Sequence, residues 1–310
     1  MILTVTMNPS IDITYPLEQL HINTVNRIAQ VSKTAGGKGL NVARVLTQLG
    51  APVKATGVVG GHFGDYLTDQ LDKDGIHHAF SKIAGETRSC IAVLHEGQQT
   101  EILESGPQVS KEEQANYIAN FEKILSDANY VTISGSLPKG IHHDFYSVLT
   151  EKATLANARV LLDTSGATLK RSIESDYKPF LIKPNETEIA DLIGKEIKSE
   201  PTLVEALEDE KFDGIEWIVV TLGADGALVK NKNNYYRVEI PTIDVKNPVG
   251  SGDSTIAGLA YALYKNETPE VVIKTGMVTG MLNTQEEKTG YINVDNFEAL
   301  FEQVKIIKIK

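Results

Sequence analysis

Trp217-Ile218-Val219-Val220-Thr221 is a short apolar run rich in β-branched residues, and four other segments share its character. These are Ile2 to Thr6, Tyr130 to Ser134, Val160 to Asp163 and Phe180 to Lys183, with helix-period segments between them. Such alternation predicts a mostly parallel sheet covered by helices on both faces, an α/β fold. Asn41 to Gly50 illustrates the helical part. Val42, Val45, Leu46 and Leu49 fall on one stripe, and Gly50 stands where a C-cap glycine would.

Two regions break this rhythm. Cys90 to Leu94 and Thr100 to Leu103 flank the polar His95 to Gln99, which reads as a hairpin with Gly97 in its turn. The stretch from Ser10 to Thr34 is likewise extended and helix-poor. Together they predict a small antiparallel β lid, inserted from about 10–34 and 87–104 into one domain that spans 1–310. A further hairpin is expected from Ala227 to Lys230 and Tyr235 to Ile240, around Asn233 and Asn234.

With 310 residues and 41% hydrophobic content the chain can bury a substantial core. It has no apolar run long enough for a membrane span, and Met1 to Met7 lacks a basic leader and a small-residue cleavage site. A cytoplasmic location is the expectation. Cys90 is the only cysteine, which excludes an internal disulfide and any cysteine metal cluster, and it reads as a small apolar residue. The net charge of −11 argues against a nucleic-acid partner. It also means that any anionic ligand needs local lysine, arginine, helix N-termini or a metal.

The strongest local signal is Asn247-Pro248-Val249-Gly250-Ser251-Gly252-Asp253-Ser254-Thr255, followed by Ile256, Ala257, Leu259, Ala260 and Leu263 on one apolar face. Pro248 and the glycines end the preceding extended segment, and a helix is expected from about Asp253. The N–H groups of Gly250 to Asp253 would then converge as an anion hole with the helix dipole behind them. Taken alone, Asp253 would read as a helix cap. The run is neither a Walker A loop nor G-x-G-x-x-G, because Thr255 stands at the last glycine. A second signal is Ala35-Gly36-Gly37-Lys38-Gly39-Leu40-Asn41-Val42-Ala43, where glycines permit close backbone approach and Lys38 and Asn41 offer a charge and an amide.

These two segments together resemble the two signatures of the PfkB (ribokinase-like) family of carbohydrate kinases, from Ile2 to the C-terminus. Thr6 to Asp12 and Ser134 to Gly140 are similar to the branch that acts on phosphorylated sugars. Lys183 to Glu188 resembles the family's N-x-x-E element, and Thr221 to Gly226 its nucleotide-side loop. The resemblance implies a ribokinase-like three-layer α/β/α fold, with ATP and magnesium as cofactors.

It further implies that Asp253 orients and finally deprotonates a sugar hydroxyl. With a reference pKa of about 3.9 it would be a weak base, sufficient if the proton leaves late. Gly250, Ser251 and Gly252 would stabilise the moving phosphoryl group. Asp12, Gly37 and Asn41 are the implied hydroxyl-binding positions, and Arg27, Lys38, Arg88 and Ser136 are candidates for the phosphate already on the sugar. Asn185 and Glu188 would hold magnesium, through water. Lys183 would reach nucleotide phosphate or else be a strand-end surface charge. Thr221, Gly223, Gly226 and Asn283 would border adenine and ribose. Exposed lid edges predict a homodimer. Two other classes stay open: a sugar-phosphate-binding regulator without catalysis, and a nicotinamide-dependent oxidoreductase, which the missing dinucleotide fingerprint disfavours.

Overall fold

The computed structural model describes residues 1–310. The strands β1 (Ile2–Thr6), β2 (Ser10–Pro16) and β3 (Ser32–Gly36) lead into α1 (Lys38–Gln48). Next come β4 (Val53–Gly60), α2 (Gly61–Lys73), β5 (His78–Ile83) and the hairpin β6 (Arg88–His95) and β7 (Gln98–Leu103). The middle of the chain alternates α3 (Lys111–Leu125), β8 (Tyr130–Ser134), α4 (Phe145–Leu155), β9 (Arg159–Asp163), α5 (Gly166–Glu174), β10 (Leu181–Ile182), α6 (Glu186–Ile193) and α7 (Glu200–Ala206). The C-terminal part holds β11 (Trp217–Thr221), β12 (Ala227–Asn231), β13 (Asn234–Glu239), α8 (Ser251–Tyr264), α9 (Pro269–Thr284), α10 (Phe297–Phe301) and β14 (Lys305–Lys308).

Ten strands form one sheet in the order β14-β13-β12-β11-β10-β9-β8-β1-β4-β5. From β11 to β5 every pairing is parallel, and β12, β13 and β14 add antiparallel neighbours at one edge. Strands buried on both faces explain why the runs are continuously apolar instead of alternating with polar residues. Ile2, Leu161, Leu181 and Trp217 belong to the core under α1, α2, α8, α9 and α10. Their neighbours Leu3, Leu162, Ile182 and Ile218 point to the opposite core, under α3 to α7. The expected three-layer α/β/α arrangement is therefore present.

The second sheet has four strands in the order β3-β2-β6-β7. Its outer pairings, β2 with β3 and β6 with β7, are antiparallel, and the central pairing of β2 with β6 is parallel. The parallel pairing follows from topology, since β2 and β6 belong to separate excursions that leave the main body on the same side. The hairpin expected around Asn233 forms as β12 and β13, with Lys232 in the left-handed region at φ 53°.

Close packing of α8 on α9 fixes the helix that starts at the second glycine-rich run. Gly258 and Gly276 let the two backbones approach, and the Thr279 hydroxyl on α9 donates to the Ser254 carbonyl on α8 at 2.7 Å. A Cβ at position 258 would lie 2.6 Å from the Thr275 carbonyl oxygen. Helix propensity alone would favour Gly258→Ala by about 1 kcal/mol. Overpacking has the opposite sign and a size of about 1–3 kcal/mol. We expect Gly258→Ala to lower the urea midpoint, and an unchanged or raised midpoint would mean that α8 and α9 are not tightly apposed.

Candidate active site

Because β1, β8, β9, β10 and β11 run parallel, their C-terminal ends open on one side of the sheet, the side where α/β folds gather ligands. Thr6, Ser134, Asp163 and Thr221 are the last residues of their strands, and Lys183 directly follows β10. Above them stand the first turns of α1 and α8 and the root of the small sheet.

The first turn of α8 begins at Ser251, two residues before the position expected from the sequence. Gly250 is its N-cap residue at φ 82°, a left-handed conformation that glycine adopts without strain. Any side chain there would also collide with Thr289. No side chain caps this helix, and the N–H groups of Gly252 and Asp253 have no backbone acceptor. Free amides with the helix dipole behind them make a site for a negatively charged group. Lys183 completes it from below, since its Nζ would be 3.1 Å from a Cβ at Gly252.

Asp253 lies within that turn and is only 5% exposed. Its Oδ2 accepts from Asn41 Nδ2 at 2.8 Å, so it is not a cap. Around it are Asp163, Lys38 and Lys183. The Asp163 carboxylate is itself buried, with Lys183 Nζ at 3.3 Å and Lys38 Nζ at 3.8 Å. Burial pushes the Asp253 pKa up to about 7 and the Asp163 charge adds to the rise, while Lys38, the Asn41 hydrogen bond and Lys183 oppose it. Asp253 is thus a stronger base than its reference value implied, because the sequence does not disclose its burial. Lys38 is held above the usual lysine range, chiefly by Asp163, and so stays charged. Asp163 was not anticipated, although an acidic residue closing the apolar run Val160 to Leu162 was a visible signal.

A pocket adjoins this centre and shares Lys38 with it. Nine residues line it and none is hydrophobic or acidic. Lys38 and Arg88 supply positive charge, while Thr6, Ser134, Ser136, Thr164 and Ser165 supply hydroxyls. The buried Thr6 and Ser134 hydroxyls and Asn8 Oδ1 have no hydrogen-bond partner. In a protein of net charge −11, an acid-free pocket with two cations is suited to an anion. Arg88 is fixed by its own donors. Nε and Nη2 donate to the Asn8 carbonyl at 3.2 and 3.0 Å, and Nη1 donates to the Glu104 carbonyl at 2.7 Å. Carbonyls position the guanidinium without cancelling its charge.

Ser136 Oγ accepts from Asn8 Nδ2 at 3.3 Å on the pocket wall. Asp12 sits at the root of the small sheet, where its carboxylate packs on Gly36 and accepts from Ser10 Oγ at 2.6 Å. Burial pushes its pKa up. Gly37, at φ 120°, is the N-cap of α1. Arg27 is corrected: it lies exposed in the connection between β2 and β3 and does not reach the pocket of its own chain. Its extended, solvated segment is the physical reason.

Two residues beyond Lys183, Asn185 caps α6 and forms a reciprocal box with Glu188. Asn185 Oδ1 accepts from the Glu188 N–H and Glu188 Oε2 accepts from the Asn185 N–H, both at 2.9 Å. Asn185 also bridges Thr221 across β10 and β11. Gly223 and Gly226 both have positive φ in the turn after β11, and a Cβ at 226 would overlap the Val238 carbonyl. Lys183 is buried and ion-paired, so the strand-end surface reading is excluded. Asn283 is also corrected. Its side chain is fully buried and spent internally: Oδ1 accepts from Ser254 Oγ at 2.6 Å and from the Gly290 N–H at 3.2 Å, and Nδ2 donates to the Val249 carbonyl at 3.4 Å. It braces the loop before α8 and does not face a ligand.

No group of three histidine, cysteine or carboxylate side chains is arranged for a metal ion. Glu188 nevertheless keeps Oε1 free of hydrogen bonds, and its charge reaches Lys38. One carboxylate oxygen free of hydrogen bonds, on a residue whose charge reaches Lys38, fits an octahedral ion held mainly by water.

Free amides, a buried carboxylate and a cationic polar pocket thus gather at one end of the α/β/α frame. The chain belongs to the pfkB family of carbohydrate kinases, whose family model matches residues 5–296. Phosphofructokinase-2 from Escherichia coli, solved with potassium, is 26% identical with a TM-score of 0.87, covering 97% of this chain and 98% of that one. The same enzyme with fructose-6-phosphate is 25% identical with a TM-score of 0.85, over the same shares of the two chains. A possible 1-phosphofructokinase from Thermotoga maritima is 26% identical with a TM-score of 0.87, covering 100% of this chain and 99% of that one.

The raised pKa has a consequence for stability. A carboxyl whose folded-state pKa exceeds its unfolded value of 3.8 contributes stability at low pH that is lost as pH rises toward about 7, at ~1.4 kcal/mol per pH unit within that window. Asp253→Asn removes this loss. We expect its melting temperature to match that of the parent protein near pH 4, to exceed it progressively up to about pH 7, and to stay a constant interval above it at higher pH. A variant that melts lower at every pH would contradict the buried, costly carboxylate.

Proposed function

We propose that this chain is an ATP-dependent kinase of a ketohexose phosphate, converting D-tagatose 6-phosphate and ATP to D-tagatose 1,6-bisphosphate and ADP. The observation that carries the phosphorylated acceptor is the acid-free pocket with Lys38 and Arg88, joined through Lys38 to the buried Asp253. Glu96 to Glu104 and Gly214 to Trp217 carry the narrower resemblance to bacterial tagatose-6-phosphate kinases. The same chemistry on fructose 6-phosphate or fructose 1-phosphate is the second reading, supported by the fructose-6-phosphate in complex with the E. coli neighbour and the description of the T. maritima one.

In the proposed reaction the sugar phosphate sits against Lys38, Arg88 and Ser136, and Asp12, Gly37 and Asn41 border its hydroxyls. The acceptor oxygen attacks the γ-phosphorus, the bond to the β,γ-bridging oxygen breaks, and the hydroxyl proton passes to Asp253. Phosphoryl transfer depends chiefly on positioning and charge neutralisation. Amides at Gly250 and Gly252, with Lys183, face the moving group, whereas the Ser251 N–H donates to the Pro248 carbonyl at 3.4 Å and is not free for it. The turn from Thr221 to Gly226 borders the nucleotide. Glu188 and Asn185 would hold magnesium through water, and the ion would supply positive charge beside the phosphates. The small sheet would act as a lid that excludes water.

An assay coupled to ADP release with tagatose 6-phosphate, fructose 6-phosphate and fructose 1-phosphate decides the substrate, and the highest kcat/KM is expected for tagatose 6-phosphate. Preference for either fructose phosphate would move the assignment to that sugar. Absence of ADP release with all of them would leave a binding protein. Asp253→Asn should lower kcat by roughly 10³-fold while ATP still binds, and near-normal turnover would remove Asp253 from the mechanism. The kcat/KM of the parent enzyme should fall about tenfold per pH unit below pH 7, because the base must be ionised.

A homodimer is part of the same reading. The strand β7 is exposed along its whole length, with Ile102 at 61% and Leu103 at 60%, and a second copy would cover it. Sedimentation at micromolar concentration should give twice the chain mass, and a monomer would refute the dimer.

A further inference from the structure

Arg44 is one turn beyond Asn41 on α1 and 5% exposed, yet it has no part in the chemistry described above. Its guanidinium touches four different parts of the chain. Nη1 donates to Asn41 Oδ1 at 3.1 Å, Nη2 donates to the Ala35 carbonyl in β3 at 2.7 Å, and Nε reaches Asp74 Oδ2 beyond α2 at 3.5 Å. Its Cζ lies 5.4 Å from the centroid of the Tyr291 ring. The backbone at Gly290 closes the cage, where a Cβ would be 3.0 Å from Nη1 and 3.1 Å from Asn41 Oδ1.

We infer that Arg44 is a positioning residue for the base, acting through the amide of Asn41. A guanidinium has donors and no acceptor, so the atom of Asn41 that faces it must be the oxygen. The other end of the amide, Nδ2, is then obliged to face Asp253, to which it donates at 2.8 Å. Without Arg44 the amide can rotate and present its oxygen to a carboxylate, which an ionised Asp253 repels. The arginine therefore fixes one oxygen of the base and leaves Oδ1 for the acceptor hydroxyl. Through Ala35 it ties this orientation to the strand that enters the small sheet and leads to Gly37.

Arg44 is fitted for this by being fully enclosed. Lysine would keep the charge, but a single ammonium cannot span Asn41 Oδ1 and the Ala35 carbonyl as the planar fork does. The charged groups facing Asp253 are Lys38 of α1, Asp163 of β9 and Lys183 after β10, and those facing Arg44 are Asp74 and, at longer range, Asp12. None of the three facing Asp253 can replace an oriented amide donor, since the two lysines are already paired with Asp163.

The inference rests on Asp253 being the base, and the experiment separates the two. Arg44→Met and Arg44→Lys are compared with the parent enzyme and with Asn41→Ala, using urea midpoints to confirm folding. In both arginine variants kcat should fall roughly 10–100-fold, as expected when a base loses its alignment. The KM for ATP should stay within about threefold, because uniform nucleotide binding is untouched. The acidic limb of the kcat profile should move to higher pH, since a bond favouring the ionised carboxylate is lost. In the Asn41→Ala background, Arg44→Met should lower kcat by no more than about threefold further, because the path through the amide is already gone. A folded Arg44→Lys with parental kcat would overturn the inference, as would an undiminished loss in the Asn41→Ala background. If neither arginine variant folds, Arg44 is a structural residue alone and the inference fails. Should Asp253→Asn retain turnover, the fault lies with the assignment of the base and not with Arg44.

Discussion

A buried carboxylate in the first turn of α8, held by one amide and surrounded by two lysines and a second carboxylate, is the constraint to which the rest of this structure is adapted. Burying such a charge is costly unless partners compensate it. Asn41, Lys38 and Lys183 compensate it only in part, and the carboxyl is left poised near neutrality. A base in that range accepts a proton far more readily than a solvated aspartate, while the free amides of the same turn favour negative charge beside it.

The large architecture follows from the need to bring these groups together. Four site residues lie at strand ends spread across the parallel sheet, so their spacing is set by the sheet and not by loops. Close packing of α8 on α9 holds the turn in place from behind, and Asn283 braces the loop that enters it. The small sheet contributes Arg88 and Asp12 at its root and leaves a long exposed edge in β7. Positive charge is concentrated in the polar pocket, against the negative balance of the chain as a whole.

Much of this was legible from the sequence, for identifiable reasons. The parallel strands announced themselves because burial on both faces makes Trp217 to Thr221 and its counterparts uniformly apolar. Hairpins at Gly97 and Asn233 were marked by turn residues between β-prone runs. The glycine-rich segments at 35–43 and 247–255 were visible because close backbone approach demands glycine. The start of α8 was misplaced by two residues, because Gly250 caps the helix through a left-handed backbone and not through a polar side chain. Asp163 and Arg44 went unseen, since what defines them is contact across the fold: an acid between two lysines, and a guanidinium behind an amide. Asn283 was read toward the nucleotide, but burial turned its polar atoms inward. Arg27 has no contact that would bring it to the site of its own chain.

The central claim concerns the protonation of one side chain, and it can be observed without turnover. Carboxyl carbons of aspartate can be labelled with carbon-13 and followed by NMR as pH is varied, with Asp253→Asn identifying the resonance that belongs to residue 253. The account predicts that this resonance titrates with a midpoint near 7, well separated from the solvated aspartates. A midpoint near 4 would show a carboxylate in ordinary contact with water and would contradict the buried base on which the proposed chemistry stands.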